Sequence, residues 1–208
     1  MRKSAFLFSF FLGTLLLMTS AAQAQTQVDL AVGASTVIGT KAENAGTTFF
    51  PQNAGGGLFP TASADFLFFK HFGIEGEIAG RAERTISQGF LPYRTTFYNF
   101  GALYSPPLGK HAALEVSAGA GEEVARFYQP TLLCPFFTCT DFTNTSHLLL
   151  AFGGGVRAYV WRQFFVKPDF RFYHIQNNIE FSSNHATRIG ISVGYSFGRA
   201  KSATKSSH

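Results

Sequence analysis

Apolar and polar residues alternate along eight segments of this chain between Val28 and Arg199. In the last three segments, at 147–161, 164–174 and 187–197, one set of alternate positions is almost wholly apolar, and the other carries glycine, serine and charged residues. Because successive side chains of a strand point to opposite faces, each segment presents one apolar and one polar face. Each of these runs also reaches the roughly 9–11 residues that a tilted strand needs to cross a bilayer.

The earlier segments follow the same rule less regularly, and the connections between segments alternate in length. The earlier segments are 28–35, 60–69, 73–84, 93–104 and 112–125. The short links are 70–72, 105–111 and 162–163, and the long ones are 39–59, 85–92, 127–146 and 176–184. We therefore predict an all-β fold, an eight-stranded antiparallel up-and-down transmembrane β-barrel with its apolar faces outward. Such barrels have short periplasmic turns, so both termini are expected to be periplasmic.

The N-terminal segment has the organisation of a cleaved secretory signal. Arg2 and Lys3 precede an apolar stretch from Ala5 to Met18, and small residues at Ala22 to Ala24 suit cleavage. The stretch is shorter than the roughly 20 residues of a transmembrane helix. We predict three parts: a signal peptide at 1–24, an outer-membrane barrel at 25–199 and a short polar tail at 200–208.

Composition agrees with a lipid-facing exterior. Aromatic residues make up 16% and charged residues 14% of the chain, whereas a soluble domain has about 25% charged residues. Removal of Arg2 and Lys3 would lower the net charge from +5 to +3, and the remaining excess lies in the C-terminal tail region. Elsewhere bases and acids are interleaved, so no nucleic-acid partner is expected. A soluble lipocalin-like barrel would have the opposite arrangement, apolar inside and polar outside.

The polar face carries charges of both signs. An eight-stranded barrel has a lumen just wide enough for side chains to fill it, and an unpaired charge there would be costly. We predict a network of ion pairs in place of an open channel, with Glu75 and Glu77 as structural members instead of an acid–base pair. The predicted members are Asp29, Asp65, Glu75, Glu77, Arg81, Glu83, Glu115, Arg157, Lys167, Asp169, Arg171 and Arg188. Inward glycines such as Gly153 are expected to make room for the long side chains.

The two cysteines, Cys134 and Cys139, both lie in the third long loop. In an exported protein a disulfide between them is expected, with two free thiols as the alternative. A lone pair at this spacing lacks the other ligands of a zinc site. The small ring would present Phe136 and Phe137 outward.

The last segment carries the most specific local motif, Arg188-x-Gly190-x-x-Val193-x-Tyr195. It is similar to the polar-x-Gly-x-x-hydrophobic-x-aromatic signal that outer-membrane barrels present to their assembly machinery. Over residues 27–199 the chain resembles the small eight-stranded outer-membrane β-barrel family typified by OmpA and OmpX. The resemblance implies residence in the outer membrane of a Gram-negative cell, contact with its lipid and lipopolysaccharide, and assembly by that machinery. The polar tail is too short for a peptidoglycan-binding domain.

One segment provides a catalytic candidate. Residues 172–178 look like the His-x-Ser-Asn segment of the lipid A 3-O-deacylase barrels, and His174 takes the place of the catalytic histidine. Gln176 stands where that family has its nucleophilic serine, and an amide cannot attack an ester as an activated hydroxyl does. Ser182 and Ser183 follow in the loop, with Glu180 also close in sequence. The alternative to a catalytic role is that His174 belongs to the aromatic girdle at the membrane interface.

The leading functional hypothesis is a non-enzymatic barrel with a structural or surface-recognition role carried by its four long loops. A surface partner would bind through these loops. The alternatives are a lipid A-modifying hydrolase using His174, and a narrow porin. No cofactor is expected. No metal site is expected either, because His147 is predicted to face inward and His174 outward.

Overall fold

The computed structural model describes residues 26–39, 55–69, 71–86, 92–128, 142–178 and 184–198. The expected signal peptide at 1–24, the tail at 200–208 and the pair Cys134 and Cys139 lie outside these residues, so the corresponding expectations stay predictions. The described residues form nine strands, whose bounds are β1 Gln27–Gly39, β2 Phe59–Phe69, β3 Phe72–Gly80, β4 Thr85–Ile86, β5 Pro92–Tyr104, β6 Ala112–Tyr128, β7 Phe142–Trp161, β8 Phe164–Ile175 and β9 His185–Phe197. No helix long and apolar enough to cross a membrane occurs in this part of the chain.

The strands form one closed antiparallel sheet. Strands that are consecutive in sequence pair with each other, except β3 and β4, and β1 pairs with β9 from Val28 to Gly39. The two-residue β4 pairs with the start of β5, and β3 pairs with the rest of β5, so β3 and β4 share one position in the barrel. The predicted eight-stranded up-and-down barrel is therefore confirmed.

The barrel has two distinct ends. The turn end carries the links β2–β3, β5–β6 and β7–β8 together with the start of β1 and the end of β9, and the loop end carries the remaining links. The strand bounds agree with the predicted short links. At the loop end, β6 and β7 are longer than predicted, with 17 and 20 residues, and they pair as far as Tyr128 and Phe142. Strand-favouring residues such as Thr143 and Thr145 continue the pairing into the segment 127–146 that was predicted to be a loop.

The two faces of each strand have opposite character. Outward residues at mid-strand are apolar and exposed, such as Val32 at 61% and Phe100 at 60%, whereas inward Arg157 is fully buried. The lipocalin-like arrangement is thereby contradicted. Apolar side chains need a lipid solvent outside, because water would not favour so large a continuous apolar surface.

Glycines allow two kinds of close approach inside the barrel wall. Gly101 of β5 and Gly119 of β6 face each other, and a Cβ on either would lie 2.6 Å from the Cα of the other. A Cβ on Gly153 would lie 3.1 Å from Cγ of Arg171. This glycine therefore leaves the space that the long Arg171 side chain occupies.

Candidate functional site

The lumen of the barrel is filled in layers along its axis. A charged layer lies at mid-height, with an apolar layer between it and the loop end. At the turn end, inward Leu67, Leu103 and Phe165 are each at most 4% exposed. The charged groups are thus enclosed by apolar side chains on both sides, where ionic interactions are weakly screened.

Arg157 on β7 is the centre of the first ionic cluster. Its guanidinium bonds to Asp29 of β1, to Asp65 of β2 at 3.0 Å and to Glu115 of β6 at 2.8 Å. In an eight-position barrel β2 lies directly opposite β7. Lys167 of β8 adds a contact of 2.9 Å to Glu115. The cluster therefore joins opposite walls of the barrel through the lumen.

Glu77 on β3 is the centre of the second cluster. Its carboxylate lies 3.1 Å from Nε of Arg171 and 2.8 Å from Nη2 of Arg188, and it accepts a hydrogen bond from Asn99. Arg171 also bonds to Glu75, and Arg188 lies 2.7 Å from Asp169. Since β3 lies opposite β8, this cluster also crosses the lumen.

The two clusters together contain more acids than bases. The ion pairs join six carboxyl groups to four bases: Asp29, Asp65, Glu75, Glu77, Glu115 and Asp169 with Arg157, Lys167, Arg171 and Arg188. Oxygens of Asp65, Glu75 and Glu115 lie within 4.8 Å of one another, close enough to hold a cation. The bases of the network already bring positive charge to all three carboxylates, so this arrangement acts chemically as an ion-pair network.

Arg81 and Glu83 are placed differently from the sequence-based expectation. Glu83 is exposed, because β3 ends at Gly80 and the chain turns before β4. Its predicted inward position is wrong. Arg81 is buried, but at the loop end: it donates to the Tyr93 hydroxyl at 3.1 Å and lies between the rings of Tyr93 and Phe59.

The apolar layer on the loop side of the charges was not predicted. It is a cluster of buried inward residues from β1, β2, β3, β5, β7, β8 and β9, namely Val37, Phe59, Ala79, Phe97, Leu149, Ala151, Tyr173, Ile175 and Ala186. The rings of Phe97 and Tyr173 stack in parallel at 4.9 Å across the lumen. The sequence did contain an indication of this layer, because apolar residues occupy both faces of these strands near their loop ends.

Glu123 is a further inward residue that was not among the predicted members of the network. It is fully buried and accepts a hydrogen bond of 3.0 Å from Asn178. The neighbouring Glu122 points outward and is exposed. Glu123 lies within the predicted segment 112–125, and the alternation of β6 continues through it to Tyr128, so the sequence pattern itself gave the signal for its inward position.

Two residues of the motif in the last strand point into the barrel, and two point outward. Arg188 belongs to the ionic network, and a Cβ on Gly190 would lie 2.8 Å from the Cβ of Ser35. Val193 and Tyr195 point outward, and the Tyr195 ring packs edge-on against Phe164 at the turn end. Besides any recognition role, these residues therefore pack the β8–β9 wall.

The outer rim of the loop end carries two polar groups of side chains. His174 of β8 lies opposite His185 of β9, with their Nδ1 atoms 3.2 Å apart. Gln176 is exposed beyond them, and Ser182, Ser183 and Glu180 lie outside the described residues. His147 is on β7 in register with the inward Glu123, so the structure does not bring it to His174.

Three arginines form the second group, which we call the rim arginines: Arg84, Arg94 and Arg126. Arg94 of β5 and Arg126 of β6 are direct register partners, and both are exposed. The Arg84 guanidinium lies 3.8 Å from the Tyr128 ring centre, and that of Arg126 lies 4.4 Å from the Phe142 ring centre. Two of the rim arginines, Arg84 and Arg126, therefore lie against aromatic rings at the loop end, and Arg94 lies beside Arg126.

The fold and the filled lumen define a class of membrane-spanning barrel, and comparison with known proteins identifies the family. The chain matches the outer membrane protein beta-barrel domain over residues 9–197. It belongs to this family, which places it in the outer membrane. A search of curated proteins found no similar sequence.

Solved structures with the same fold have low sequence identity to this chain. Ail, the attachment invasion locus protein of Yersinia pestis, crystallised with the heparin analogue sucrose octasulfate, has 14% identity and a TM-score of 0.55, covering 83% of this chain and 99% of Ail. Neisserial surface protein A has 9% identity and a TM-score of 0.55, covering 83% and 97%. The N-terminal barrel of Pseudomonas aeruginosa OprF has 13% identity and a TM-score of 0.51, covering 83% and 98%. These likenesses confirm the resemblance to small outer-membrane barrels.

Proposed function

We propose that this protein is a non-enzymatic outer-membrane scaffold with a closed lumen, whose loop end faces away from the cell and recognises anionic groups there. The observation that carries the proposal is the filling of the lumen by ion pairs between opposite strands, such as Arg157 with Asp65 at 3.0 Å. Apolar side chains on both sides of a charged layer oppose the entry of water and ions. A signal peptide, periplasmic termini and recognition by the assembly machinery are parts of the same proposal.

A closed lumen predicts no steady conductance. Purified protein inserted into planar bilayers should give no stable current steps at either polarity, because the stacked rings of Phe97 and Tyr173 and the ionic clusters fill the lumen. Insertion must be demonstrated on the same preparation, by heat-modifiable migration of protein recovered from vesicles. A reproducible, voltage-independent current from inserted protein would instead favour the narrow porin.

The rim arginines support recognition of anions. Direct cross-strand partners have Cβ atoms about 4.5–5.5 Å apart, and like charges at this distance repel. An anion between Arg94 and Arg126 would remove that repulsion. Arg126 is oriented by a 3.0 Å hydrogen bond from its Nε to Asn144, and each guanidinium has five N–H donors. Arg94 donates from Nε to the Arg81 carbonyl and from Nη2 to the Ala82 carbonyl. Both arginines therefore have further N–H groups that can bind a phosphate or sulfate.

We infer that the anion is a phosphate of lipopolysaccharide. Arg94 and its register partner Arg126 are on the outward face of the barrel wall, and Arg94 lies beyond the exposed apolar residues Tyr98 and Phe100 of the same strand, which is the direction of the lipid headgroups. Outer-leaflet lipid then anchors the barrel, and the long loops, including the expected Cys134 to Cys139 disulfide loop, present a surface to a further partner. The competing candidate for the bound anion is a sulfate group of a soluble polysaccharide.

Binding measurements can test this inference. The double variant Arg94→Gln, Arg126→Gln should bind lipopolysaccharide at least about tenfold more weakly, since each lost charged hydrogen bond contributes about 1.5–3 kcal/mol. Arg162→Gln is the matched control, because Arg162 is also exposed and lies near an aromatic ring, that of Trp161, but at the turn end. Equal affinity of the double variant and the wild type, or an equal loss with Arg162→Gln, would contradict the site. Tighter binding to heparin than to lipopolysaccharide would assign the site to soluble polyanions.

The hydrolase alternative gains no support from the described residues. The side chain that meets His174 is the imidazole of His185, and Gln176 remains a poor nucleophile. Release of acyl chains from lipid A by the purified protein, lost in His174→Ala, would revive this alternative.

A further inference from the structure

The position of His174 and His185 in the sheet explains why their rings meet. The two residues are register partners in β8 and β9, and next to them the Ile175 amide donates to the Asn184 carbonyl at 2.8 Å. Hydrogen-bonded and non-hydrogen-bonded pairs alternate along an antiparallel ladder. His174 and His185 are therefore a non-hydrogen-bonded pair, in which the Cα atoms are about 4.5 Å apart and the side chains are closest.

Neighbouring side chains hold the two imidazoles in this arrangement. The His185 ring stacks on Phe172, two residues before His174 on the same face of β8, with ring centres 5.4 Å apart and planes 25° from parallel. The ring centres of His174 and His185 are 4.8 Å apart. His174 is half-buried and His185 exposed. A ligand that binds both rings thus meets an arrangement that exists before it arrives, which lowers the entropic cost of binding.

The distance between the nitrogens suits metal chelation. Zinc binds imidazole nitrogen at about 2.0–2.1 Å in tetrahedral geometry, so two nitrogen ligands of one ion lie about 3.3 Å apart. The two Nδ1 atoms are 3.2 Å apart. When both rings are neutral with their protons on Nε2, each Nδ1 carries a lone pair that can bind a metal ion. Imidazole is a ligand that suits copper, zinc and nickel, and divalent copper binds most tightly in that series.

We propose that His174 and His185 form a two-histidine site for a divalent transition-metal ion, copper or zinc, on the outer rim of the loop end. Waters complete the coordination, and the exposed Gln176 follows directly after the end of β8, two residues beyond His174. The site lies past the apolar residues Phe170 and Phe172 of β8, where the ion can reach it from water. By joining β8 to β9, a bound ion stabilises the loop end of the barrel by a free energy that rises with the logarithm of the ion concentration once that concentration exceeds the dissociation constant.

The test uses full-length mature protein without a histidine tag, refolded in detergent and stripped with a chelator. Titration with Cu²⁺ should show one saturable site, and its electron paramagnetic resonance spectrum should show coupling to two imidazole nitrogens. Heat-modifiable unfolding should shift to higher temperature with added Cu²⁺ or Zn²⁺. His174→Ala and His185→Phe should each weaken binding by about tenfold or more. The phenylalanine in the second variant keeps the stacking on Phe172, so a loss of binding there reports the ligand and not the fold.

His111→Ala is the matched control, because His111 is exposed at the turn end, away from the pair. It should leave the affinity and the spectrum unchanged. The proposal is overturned if the wild type shows no saturable site, in which case the 3.2 Å contact is a hydrogen bond between the rings and nothing more. Undiminished binding in the His174→Ala, His185→Phe double variant overturns it as well. Neither result bears on the rim arginines, which lie on other strands.

Discussion

Replacing Arg157 with methionine should lower the free energy of unfolding by about 3–5 kcal/mol. The Arg157 guanidinium bonds to carboxylates of three strands, Asp29, Asp65 and Glu115, and all four groups are at most 3% exposed. Its removal leaves six carboxyl groups with three bases in place of four. Methionine fills much of the same volume, so the loss reports uncompensated charge more than a cavity. Urea titrations in detergent micelles, followed by heat-modifiable migration and by the fluorescence of the single tryptophan, Trp161, measure the change.

Two further variants show whether the loss of stability comes from the buried position of the arginine and from its charge. Arg126→Met removes an exposed arginine and should change stability by no more than about 0.5 kcal/mol. Arg157→Lys should fall between the wild type and Arg157→Met, because an ammonium keeps the charge but cannot reproduce the planar fork of the guanidinium. If Arg157→Met unfolds at the same urea concentration as the wild type, the lumen does not depend on this cluster for its stability.

Replacing Ile191 with arginine should lower the free energy of unfolding by about 2–4 kcal/mol. Ile191 lies in the middle of β9, points outward and is 56% exposed. In water such a change on an exposed position would cost little. At the midplane of a bilayer the guanidinium must be taken into hydrocarbon, which is the source of the expected cost. Equilibrium unfolding of protein folded into lipid vesicles measures it.

Ile38→Arg is the matched control for depth. Ile38 of β1 is 55% exposed on the same outer surface. Its register partner on β9 is Thr187, which lies four residues closer to the loop end than Ile191. Four residues correspond to roughly 13 Å along the strand. There an arginine reaches the headgroups and should cost only about 0–1 kcal/mol. Equal costs at the two positions, or a larger cost at Ile38, would contradict a hydrocarbon belt centred on the middle of β9.

The ion pairs and the sheet stabilise the same closed shape. Contacts between opposite positions, β7 with β2 and β8 with β3, restrain the cross-section of the barrel, which backbone pairing between neighbours alone does not fix. The apolar layer around Phe97 and Tyr173 adds contacts across the lumen on the loop side. A rigid wall of this kind suits a scaffold whose variable part lies in its loops.

Local patterns in the sequence determined much of this structure. The period-two alternation placed Asp29, Glu75 and Arg171 inward and Leu30 and Ile191 outward, because the face of a side chain depends only on its place within its own strand. The short links at the turn end were predictable for a similar reason, since a tight turn depends on a few adjacent residues. The prediction failed near the loop ends of two strands: Glu83, which was predicted to face inward, lies in a turn, and Glu123, which was not included in the predicted network, is fully buried.

Tertiary structure alone decided which inward residues meet. The sequence predicted a mixed set of acids and bases, but the contacts of Arg157 with Asp65 and of Arg171 with Glu75 depend on strand register and on closure of β1 against β9. The same register places His174 against His185 and separates both from His147, an arrangement that three histidines far apart in sequence do not reveal. The sequence thus determined the face of each residue, because that is a property of a single strand. The partners and the layers of the lumen followed only from closure, because they join strands distant in the chain.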